Sequence, residues 1–354
     1  MSRILVTGAC GYIGSHTLVD LIQSGFEVVS IDNFTQSQPV VLEQVRQITG
    51  QRVQNFDVDL ADKKTLFSIL PELGKIDGII HFAALKFVAE SVEKPLEYYH
   101  NNINCMLHLL EMVNLLQIPY FIFSSSCTVY GNSNQLPVTE DSEFHATGSP
   151  YGRTKQMCEW ILKDFCASQK NHFKAISLRY FNPAGAHPSI LLGESPGSKA
   201  QNLIPAITET AIGIRPEIIV HGTDYDTRDG SCIRDYVHVS DLAKAHTLAL
   251  QFAMRGNQIQ TLEVFNLGMG QGVSVLEAIH AFEHETGIKL PIFYGPRRAG
   301  DLPAIYADIH KVKTLLHWSP ELNIKDIMRT AWLWEQKKKI RYLKCRHFEQ
   351  FSVL

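Results

Sequence analysis

Short apolar runs rich in β-branched residues alternate with segments of helical periodicity along the first half of the chain. Six such runs predict strands, at residues 4–7, 27–31, 53–58, 79–83, 121–124 and 175–178. Between them, the periodicity predicts helices at residues 18–24, 64–70, 98–116 and 151–168. Strands that are apolar on both faces and alternate with helices are typical of a parallel sheet covered by helices on each side. The first half therefore predicts an α/β fold.

The pattern changes after residue 181, where the next twenty residues, 182–201, carry three prolines and three glycines and predict a loop. Helices follow at residues 203–212, 239–252, 275–285 and 324–338, with short strands such as 218–221 between them. We expect three parts: a first domain at residues 1–181, a smaller α/β substrate-binding domain at 182–336 with segments that cross back to the first, and a basic C-terminal tail at 337–354.

Composition narrows the class of protein. The 354 residues are 45% hydrophobic and 19% charged, with a formal net charge of −3, which is ordinary for a globular enzyme and gives no electrostatic case for nucleic acid or membrane as a partner. The chain opens on a strand-like run, so we expect no secretory signal, and no apolar run is long enough to span a bilayer. Seven scattered cysteines without a CxxC pair predict reduced thiols in a cytoplasmic enzyme. The basic tail is interpreted as a helix end and solvated segment.

A glycine-rich turn, Gly8-x-x-Gly11-x-x-Gly14, lies where the first strand passes into the first helix. Glycines there allow a tight turn and a close approach of backbone to a pyrophosphate, and the helix N-terminus supplies free N–H groups. The second strand ends in Asp32, whose carboxylate can bind the adenosine ribose hydroxyls and repel a 2′-phosphate. Together these features predict a Rossmann-type domain that binds NAD.

Tyr151 and Lys155 lie four residues apart in a predicted helix and share one face. A neighbouring ammonium and a positive nicotinamide ring both favour the phenolate, so we expect the pKa of Tyr151 to fall toward the working pH. Ser126 ends the fifth strand at the edge of the sheet where ligands bind and can share the transferred proton. We predict Ser126, Tyr151 and Lys155 as the catalytic residues.

These motifs, in this order, resemble the extended short-chain dehydrogenase/reductase family. The resemblance is carried by the glycine turn and by the segments Ser124–Gly131, Ser149–Lys155 and Arg179–Pro183. Four further segments resemble the nucleotide-sugar epimerases of that family: His81–Lys86, Lys94–Tyr99, Arg234–Val239 and Pro296–Pro303. The likeness runs from about residue 3 to residue 335.

The resemblance implies an isomerase of galactose metabolism that interconverts UDP-galactose and UDP-glucose. Tyr151 would act as the base on the sugar 4-hydroxyl during oxidation at C4, the 4-keto intermediate would rotate, and reduction would follow on the opposite face. Gain and loss of hydride cancel, so the resemblance also implies that NAD remains bound. A homodimer through the helices at 98–116 and 151–168 is the family expectation, and burial of those helices inside the monomer is the alternative.

The resemblance also assigns binding residues by motif. The cofactor set is Gly8, Gly11, Tyr12, Ile13, Gly14, Asp32, Asn33, Ser37, Asp59, Leu60, Phe82, Ala83, Lys86, Asn101, Ser126, Tyr151, Lys155 and Tyr180. The substrate set is Lys86, Ser126, Tyr151, Asn182, Asn202, Leu203, Arg234, Arg298 and Asp301. The two arginines suit a pyrophosphate through forked hydrogen bonds, and Asp301 suits the uridine ribose.

Several positions depart from the family pattern. Ala84 replaces a usual Gly, Gln36 stands where an Asn beside the ribose is usual, and His221 replaces a Phe near the expected uracil site. Ile305 stands where a Tyr or Cys commonly lines the sugar pocket, and its intermediate size leaves the preference for acetylated sugars open. We expect weak activity at best toward UDP-N-acetylhexosamines.

Other functions are weighed against this one. A sugar-nucleotide 4,6-dehydratase needs an Asp-Glu pair after Ser126, where this chain has Cys127 and Thr128. A non-catalytic NAD-sensing scaffold would have no reason to keep the proton relay. Epimerisation of a UDP-pentose or an acetylated UDP-sugar stays open. His280 and His284 are spaced for a metal, but no third ligand is evident, so we expect a solvated helix face and no metal.

Overall fold

The computed structural model describes residues 1–351 except 134, 170–171, 196–199, 259 and 299, and for residues 341–351 it describes the backbone alone. Its strands are β1 Arg3–Thr7, β2 Glu27–Ile31, β3 Gln54–Phe56, β4 Gly78–His81, β5 Tyr120–Ser126, β6 Lys174–Tyr180, β7 Asn182–Ala184, β8 Ile218–His221, β9 Ile233–Arg234, β10 Tyr236–His238, β11 Leu262–Leu267, β12 Val273–Ser274, β13 Ile292–Gly295 and β14 Ala304–Ile305. Seven of them form one parallel sheet in the order β11-β6-β5-β4-β1-β2-β3.

The helices are α1 Tyr12–Gln23, α2 Val40–Thr49, α3 Lys63–Ser68, α4 Leu70–Leu73, α5 Val88–Glu93, α6 Pro95–Leu116, α7 Pro150–Ser168, α8 Leu203–Ala211, α9 Val239–Met254, α10 Val275–Thr286, α11 His310–Leu315 and α12 Ile324–Phe351, with a 3₁₀ turn at Cys127–Tyr130. None of the helices in the described part of the chain is long and apolar enough to cross a membrane.

The large sheet separates two hydrophobic cores. Side chains of a strand alternate between its faces, so Ile4 and Val6 of β1 join α1 and α9 in one core. Leu5, between them, joins α6 and α7 in the other core. Burial on both faces explains why the central strands of the sheet are continuous apolar runs. This arrangement is the predicted Rossmann-type fold.

A third core lies beneath three small sheets formed by the rest of the chain. It is built by α8, α10 and α12, with Ile207, Phe282 and Met328 fully buried. The small sheets pair β8 with β13, β7 with β10, and β9 with both β12 and β14. The domain limits predicted from the sequence stay a prediction, but these layers agree with a smaller α/β unit.

The predicted elements are all found, with corrections to their ends. The helix predicted at 64–70 is divided into α3 and α4, and the last helix, predicted to end at 338, runs to Phe351 through part of the predicted tail. The predicted loop 182–201 contains β7 and a bridge between Ala186 and Gly193, while its residues 196–199 lie outside the described residues, as do tail residues 352–354. Among the described segments, the sequence analysis did not predict α2, α5, α11 or β11. It predicted α9 as a helix, but not the packing of α9 in the same core as α1.

A buried ion pair ties α7 to the sheet. The Arg179 guanidinium on β6 donates to both carboxylate oxygens of Glu159 on α7, with its nearest contact at 2.7 Å, and both side chains are almost fully buried. Arg179 also donates to the Tyr130 hydroxyl and the Glu140 carbonyl, while the Ser125 hydroxyl donates to Glu159. Because every charged atom has a partner, burial is tolerated, and the pair fixes α7 against β5 and β6.

We predict that Glu159→Ala destabilises the protein by about 3–5 kcal/mol, because it leaves a buried guanidinium without its counter-ion. Denaturant unfolding followed by circular dichroism measures the change. The control is Glu43→Ala, which breaks the exposed ion pair between Glu43 and Arg46 on α2 and should leave the unfolding midpoint unchanged. Equal effects of the two substitutions would contradict the role given to Glu159.

Candidate active site

The loops that follow β1, β2, β4, β5 and β6 meet at the carboxyl edge of the sheet and surround a cavity of 260 Å³. Every residue that the sequence predicts to bind the cofactor lines this cavity, from Gly8 and Asp32 at one end to Tyr151, Lys155 and Tyr180 at the other. Of the predicted substrate residues, Lys86, Ser126, Tyr151 and Asn202 line it as well. The fold therefore brings the whole predicted cofactor set and four of the nine predicted substrate residues together along one cleft.

The glycine turn is shaped by close backbone contacts. Gly8 has a φ of +65°, and a Cβ atom there would lie 2.6 Å from the backbone nitrogen of Ala83 in the loop after β4. A Cβ on Gly14 would lie 2.3 Å from the carbonyl oxygen of Gly8. No side chain fits either position, so both glycines are required for the turn to pass beneath the cavity.

The N-terminus of α1 is open toward the cavity. Gly11 caps this helix without a side-chain hydrogen bond, and its first turn contains no acidic residue. The free N–H groups and the positive end of the helix dipole are therefore available to an anion. With the glycine turn beside it, this site fits the pyrophosphate of a dinucleotide.

Asp32 is held in place at the end of β2. Its carboxylate accepts hydrogen bonds from the Cys10 and Phe34 N–H groups at 2.8 and 2.9 Å and from the Ser37 hydroxyl at 2.7 Å. These three donors leave lone-pair capacity on the carboxylate, so Asp32 can still bind ribose hydroxyls. Ser37, predicted as a cofactor residue, lines the cavity and also orients Asp32.

Lys155 extends past Tyr151 toward the sheet. Its ammonium donates to the Ser124 carbonyl at 2.8 Å and lies 5.9 Å from the centre of the Tyr151 ring. It also lies 4.9 Å from the centre of the Phe123 ring. Tyr151, Lys155 and Ser126 are all buried at the cavity wall, which is the predicted catalytic arrangement.

The predicted effect on the tyrosine is not produced by the protein alone. Burial raises the pKa of Tyr151 to about 12, although a hydrogen bond with Ser126 acts in the opposite direction. Burial also lowers the pKa of Lys155 to about 8. The expectation that a neighbouring ammonium and a nicotinamide ring together bring the pKa of the phenol toward the working pH stays a prediction, because it requires the bound cofactor.

Some predicted substrate residues lie outside the cavity wall. Arg234 and Asp301 are paired, with 3.5 Å between Nη2 and Oδ1, and Arg234 also donates to the Leu302 carbonyl at 2.8 Å. Arg298 is exposed. Asn182 lies on β7 and Leu203 begins α8, and neither is among the residues that line the cavity. The structure thus places the predicted uridine and phosphate residues in the smaller unit, with Arg234 and Asp301 contacting each other.

The departures from the family pattern also have definite places. Gln36 and Ala84 line the cavity. Ile305 is only 6% exposed and packs in the core beside the sheet, and His221 ends β8, half-buried. His280 and His284 are exposed on α10 as predicted, and no cluster of three metal-ligating side chains occurs among the described residues.

Two polar residues were missed by the sequence analysis, one bonded to the cavity-lining Leu85 and one at the cavity wall itself. Asn102 on α6 is buried, accepts a hydrogen bond from the Leu85 N–H at 2.9 Å and donates to the Thr154 hydroxyl at 3.0 Å. It therefore ties the loop that carries Lys86 to both α6 and α7. Glu194 lines the cavity from the loop before α8. The sequence signal that identifies Asn102 is an asparagine within an otherwise apolar helix. No such signal identifies Glu194, because it lies in a segment without regular periodicity.

Comparison with known proteins agrees with this geometry. The family model described as GDP-mannose 4,6 dehydratase matches residues 5–331. UDP-glucose 4-epimerase 1 from Oryza sativa subsp. japonica is 43% identical over 97% of both chains. UDP-glucose 4-epimerase from Pasteurella multocida is 44% identical over 96% of this chain and 99% of its own. The crystal structure of UDP-glucose 4-epimerase from Bifidobacterium longum, in complex with NAD+ and UDP, superposes with a TM-score of 0.90 at 43% identity, covering 95% of this chain and 98% of the other.

A Rossmann-type sheet with a glycine turn, a Ser-Tyr-Lys set and a second small unit defines an extended short-chain dehydrogenase/reductase. From its near full-length similarity, the chain belongs to the UDP-glucose 4-epimerase family within that class.

We predict that Gly8→Ala abolishes retention of the dinucleotide, because its methyl group would collide with the Ala83 backbone. The matched control is Gly25→Ala, where φ is also positive, at +86°, but no atom lies within 4 Å of the new Cβ. Nucleotide released from acid-denatured, purified protein and quantified by chromatography measures retention. Full retention in Gly8→Ala would show that the turn tolerates a side chain.

Proposed function

We propose that the protein is an isomerase that interconverts UDP-galactose and UDP-glucose, with one NAD retained through many turnovers. The observation that carries the proposal is the buried Ser126, Tyr151 and Lys155 set at the wall of a dinucleotide cavity. The similarity of the whole chain to UDP-glucose 4-epimerases, one of them crystallised with NAD+ and UDP, supports it.

The cofactor would be held by the residues described above. The N-terminus of α1 and the glycine turn fit the pyrophosphate, Asp32 fits the adenosine ribose, and Asp59 and Leu60 lie where an adenine would fall. When bound, NAD supplies the hydride acceptor and donor for C4 of the sugar, together with a positive ring that favours a nearby phenolate. Asp32 disfavours a 2′-phosphate, so the site suits NAD over NADP.

The proton of the sugar 4-hydroxyl would be taken by Tyr151. Its ring is buried and contacts Ser126, which can pass a hydrogen bond to the substrate oxygen. Lys155 lies within 6 Å of the same ring as a cation anchored by the Ser124 carbonyl, so it stabilises developing negative charge at the phenol without moving. Burial excludes water from the 4-keto sugar and protects it from side reactions.

Rotation of the 4-keto sugar requires firm anchoring of the nucleotide and a looser sugar site. The UDP half would be held from the smaller unit by Asn182, by Asn202 and Leu203 at the N-terminal end of α8, and by the cations Arg234 and Arg298. The pairing of Arg234 with Asp301 means that a pyrophosphate would compete with this carboxylate for the guanidinium. The sugar could then turn about its link to the phosphate while Tyr151 stays fixed on α7.

A dehydratase is the nearest alternative on this fold. Elimination of water requires an additional acid and base next to the reacting sugar. After Ser126 the 3₁₀ turn presents Cys127 and Thr128, and burial raises the pKa of the Cys127 thiol to about 12. That thiol is a poor acid or base at neutral pH, so epimerisation is favoured. A non-catalytic NAD-binding scaffold would not need the buried Ser-Tyr-Lys set.

Purified protein given UDP-galactose without added NAD should produce UDP-glucose, because the resident cofactor is regenerated in each turnover. A coupled dehydrogenase assay specific for UDP-glucose measures the product. Tyr151→Phe keeps the ring but removes the phenol, and we expect at least a hundredfold loss of kcat. Undiminished turnover by this variant would contradict the proton transfer assigned to Tyr151, and strict dependence on added NAD would contradict a retained cofactor.

We propose a preference for unacetylated sugars on the basis of Ile305, whose buried side chain leaves it little freedom to move aside. UDP-N-acetylglucosamine should therefore turn over with a kcat/KM at least about tenfold below that of UDP-glucose, since 1.4 kcal/mol of steric cost is sufficient. Ile305→Ala should narrow the difference, and Ile305→Leu should preserve it. Comparable turnover of both substrates by the unaltered protein would contradict this preference.

We further propose a cytoplasmic homodimer joined through α6 and α7. Leu107 on α6 with Met157 and Trp160 on α7 forms an exposed apolar face, and Trp160 is 52% exposed. Helices with such faces pack in pairs, giving a four-helix contact. The six cysteines described, which include Cys10 and Cys127, are all unpaired, as in a reducing compartment.

The double substitution Leu107→Glu and Trp160→Glu should convert the dimer into monomers, because it places four charges in the paired contact. Light scattering after size-exclusion chromatography measures the mass. Leu333→Glu on α12, where the leucine is similarly exposed, is the control and should leave the mass unchanged. A dimer that survives the double substitution would exclude this face as the contact.

A further inference from the structure

Glu194 is an acidic residue at the cavity that no step described above uses. It lies in the loop between β7 and α8 and lines the cleft together with Tyr12, Lys86 and Asn202. A carboxylate next to a site for diphosphates is unfavourable unless it has another role, because like charges repel. Its surroundings identify that role.

The loop that carries Glu194 is fixed to the last helix. The Trp334 indole N–H on α12 donates to the Glu194 carbonyl at 2.8 Å. Gly193 lies flat on the same indole, since a Cβ there would be 2.6 Å from its ring carbons. The backbone of this loop is therefore anchored by Trp334, and the carboxylate extends from a fixed point.

The side chain of Glu194 is engaged with Asn202. The Asn202 amide nitrogen donates to Glu194 Oε1 at 2.8 Å, and Asn202 is the N-cap residue of α8. A hydrogen bond from this nitrogen fixes which way the amide is turned, so the amide oxygen and the second N–H of Asn202 stay free for a ligand. Of the neighbouring charges, Lys338 attracts Glu194 but is paired with Glu335, and Glu209, which repels it, is paired with Arg215.

Lys86 is the cation across the cavity from this carboxylate. Burial raises the pKa of Glu194, while Lys86 and the hydrogen bond from Asn202 act in the opposite direction. No ion pair of Glu194 occurs among the described residues within 4 Å, so Lys86 influences the carboxylate across the cleft and is left to face a ligand. The Glu194 carboxylate thus bonds to Asn202 of the smaller unit and at the same time lines the cofactor cleft.

We propose that Glu194 is a positioning residue that holds the Asn202 amide in the orientation needed to bind the UDP half of the substrate. The proposal rests on the proposed function for the identity of the ligand, and it concerns nucleotide binding and not the chemical step. Glu194→Ala removes the acceptor, whereas Glu194→Gln keeps an acceptor oxygen of similar reach. The two variants therefore separate orientation of Asn202 from simple presence of negative charge.

The test measures the Kd for UDP by calorimetry, KM and kcat for UDP-galactose, and NAD content. We expect Glu194→Ala to weaken UDP binding and raise KM by about tenfold, in line with loss of one charge-assisted hydrogen bond, with kcat and NAD content changed less than about twofold. Glu194→Gln should stay within about threefold of the unaltered protein. Glu285→Ala on α10, half-buried like Glu194 and away from the cleft, should match the unaltered protein.

A double-substitution cycle with Asn202→Ala keeps the test decisive. If Glu194 acts through Asn202, the double variant binds UDP no more than about twofold more weakly than Asn202→Ala alone. The proposal is overturned if the Glu194→Ala and Asn202→Ala substitutions weaken UDP binding independently, so that their effects on Kd multiply. It is also overturned if Glu194→Ala leaves the Kd unchanged or lowers only kcat, or if Glu194→Ala and Glu194→Gln weaken UDP binding equally. If the unaltered protein binds UDP but does not turn over UDP-galactose, the proposed function fails while the Kd cycle still tests Glu194.

Discussion

The close approach of two backbones, Gly8 after β1 and Ala83 after β4, is the constraint on which the site depends. A Cβ on Gly8 would lie 2.6 Å from the Ala83 nitrogen, so only glycine lets these two loops meet above the sheet. The N-terminus of α1 and the loop that carries Lys86 follow these two positions, and both line the same cleft as Tyr151 and Lys155. Tyr151 and Lys155 are carried by α7, which the buried Arg179–Glu159 pair fixes to the strands beneath.

Local sequence patterns were sufficient for most of the first fold layer, because its strands are buried on both faces and its long helices are amphipathic. They were insufficient for β11 and for the packing of α9, which was predicted as a helix but not as part of this layer. Both segments follow residue 181 in the chain, yet β11 completes the parallel sheet beside β6 and α9 packs on α1. Nothing local distinguishes a strand of the large sheet from one of a small sheet, since the choice is decided by long-range pairing. The helix α2 was also missed, although Val41, Leu42, Val45 and Ile48 form an apolar stripe that packs on the core beside α1.

The residues predicted to bind the cofactor all line the cavity, whereas five of the nine predicted substrate residues do not. Ser126, Tyr151 and Lys155 meet at the cavity wall because β5 and α7 are regular elements with fixed geometry. The pKa of Tyr151 was not predictable, since it depends on how much protein surrounds the phenol, and burial raises it to about 12. Glu194 was missed because its partners Asn202 and Trp334 come together only in the folded chain.

The central claim is that one tyrosine-lined site removes a hydrogen from C4 and returns the same hydrogen to the opposite face. The most direct test is a crossover experiment with UDP-galactose carrying deuterium at C4 mixed with UDP-galactose carrying ¹³C in the sugar ring. The account predicts UDP-glucose that keeps deuterium at C4, with no molecule carrying both labels. Deuterium lost to water, or transferred to the ¹³C-labelled sugar, would contradict it.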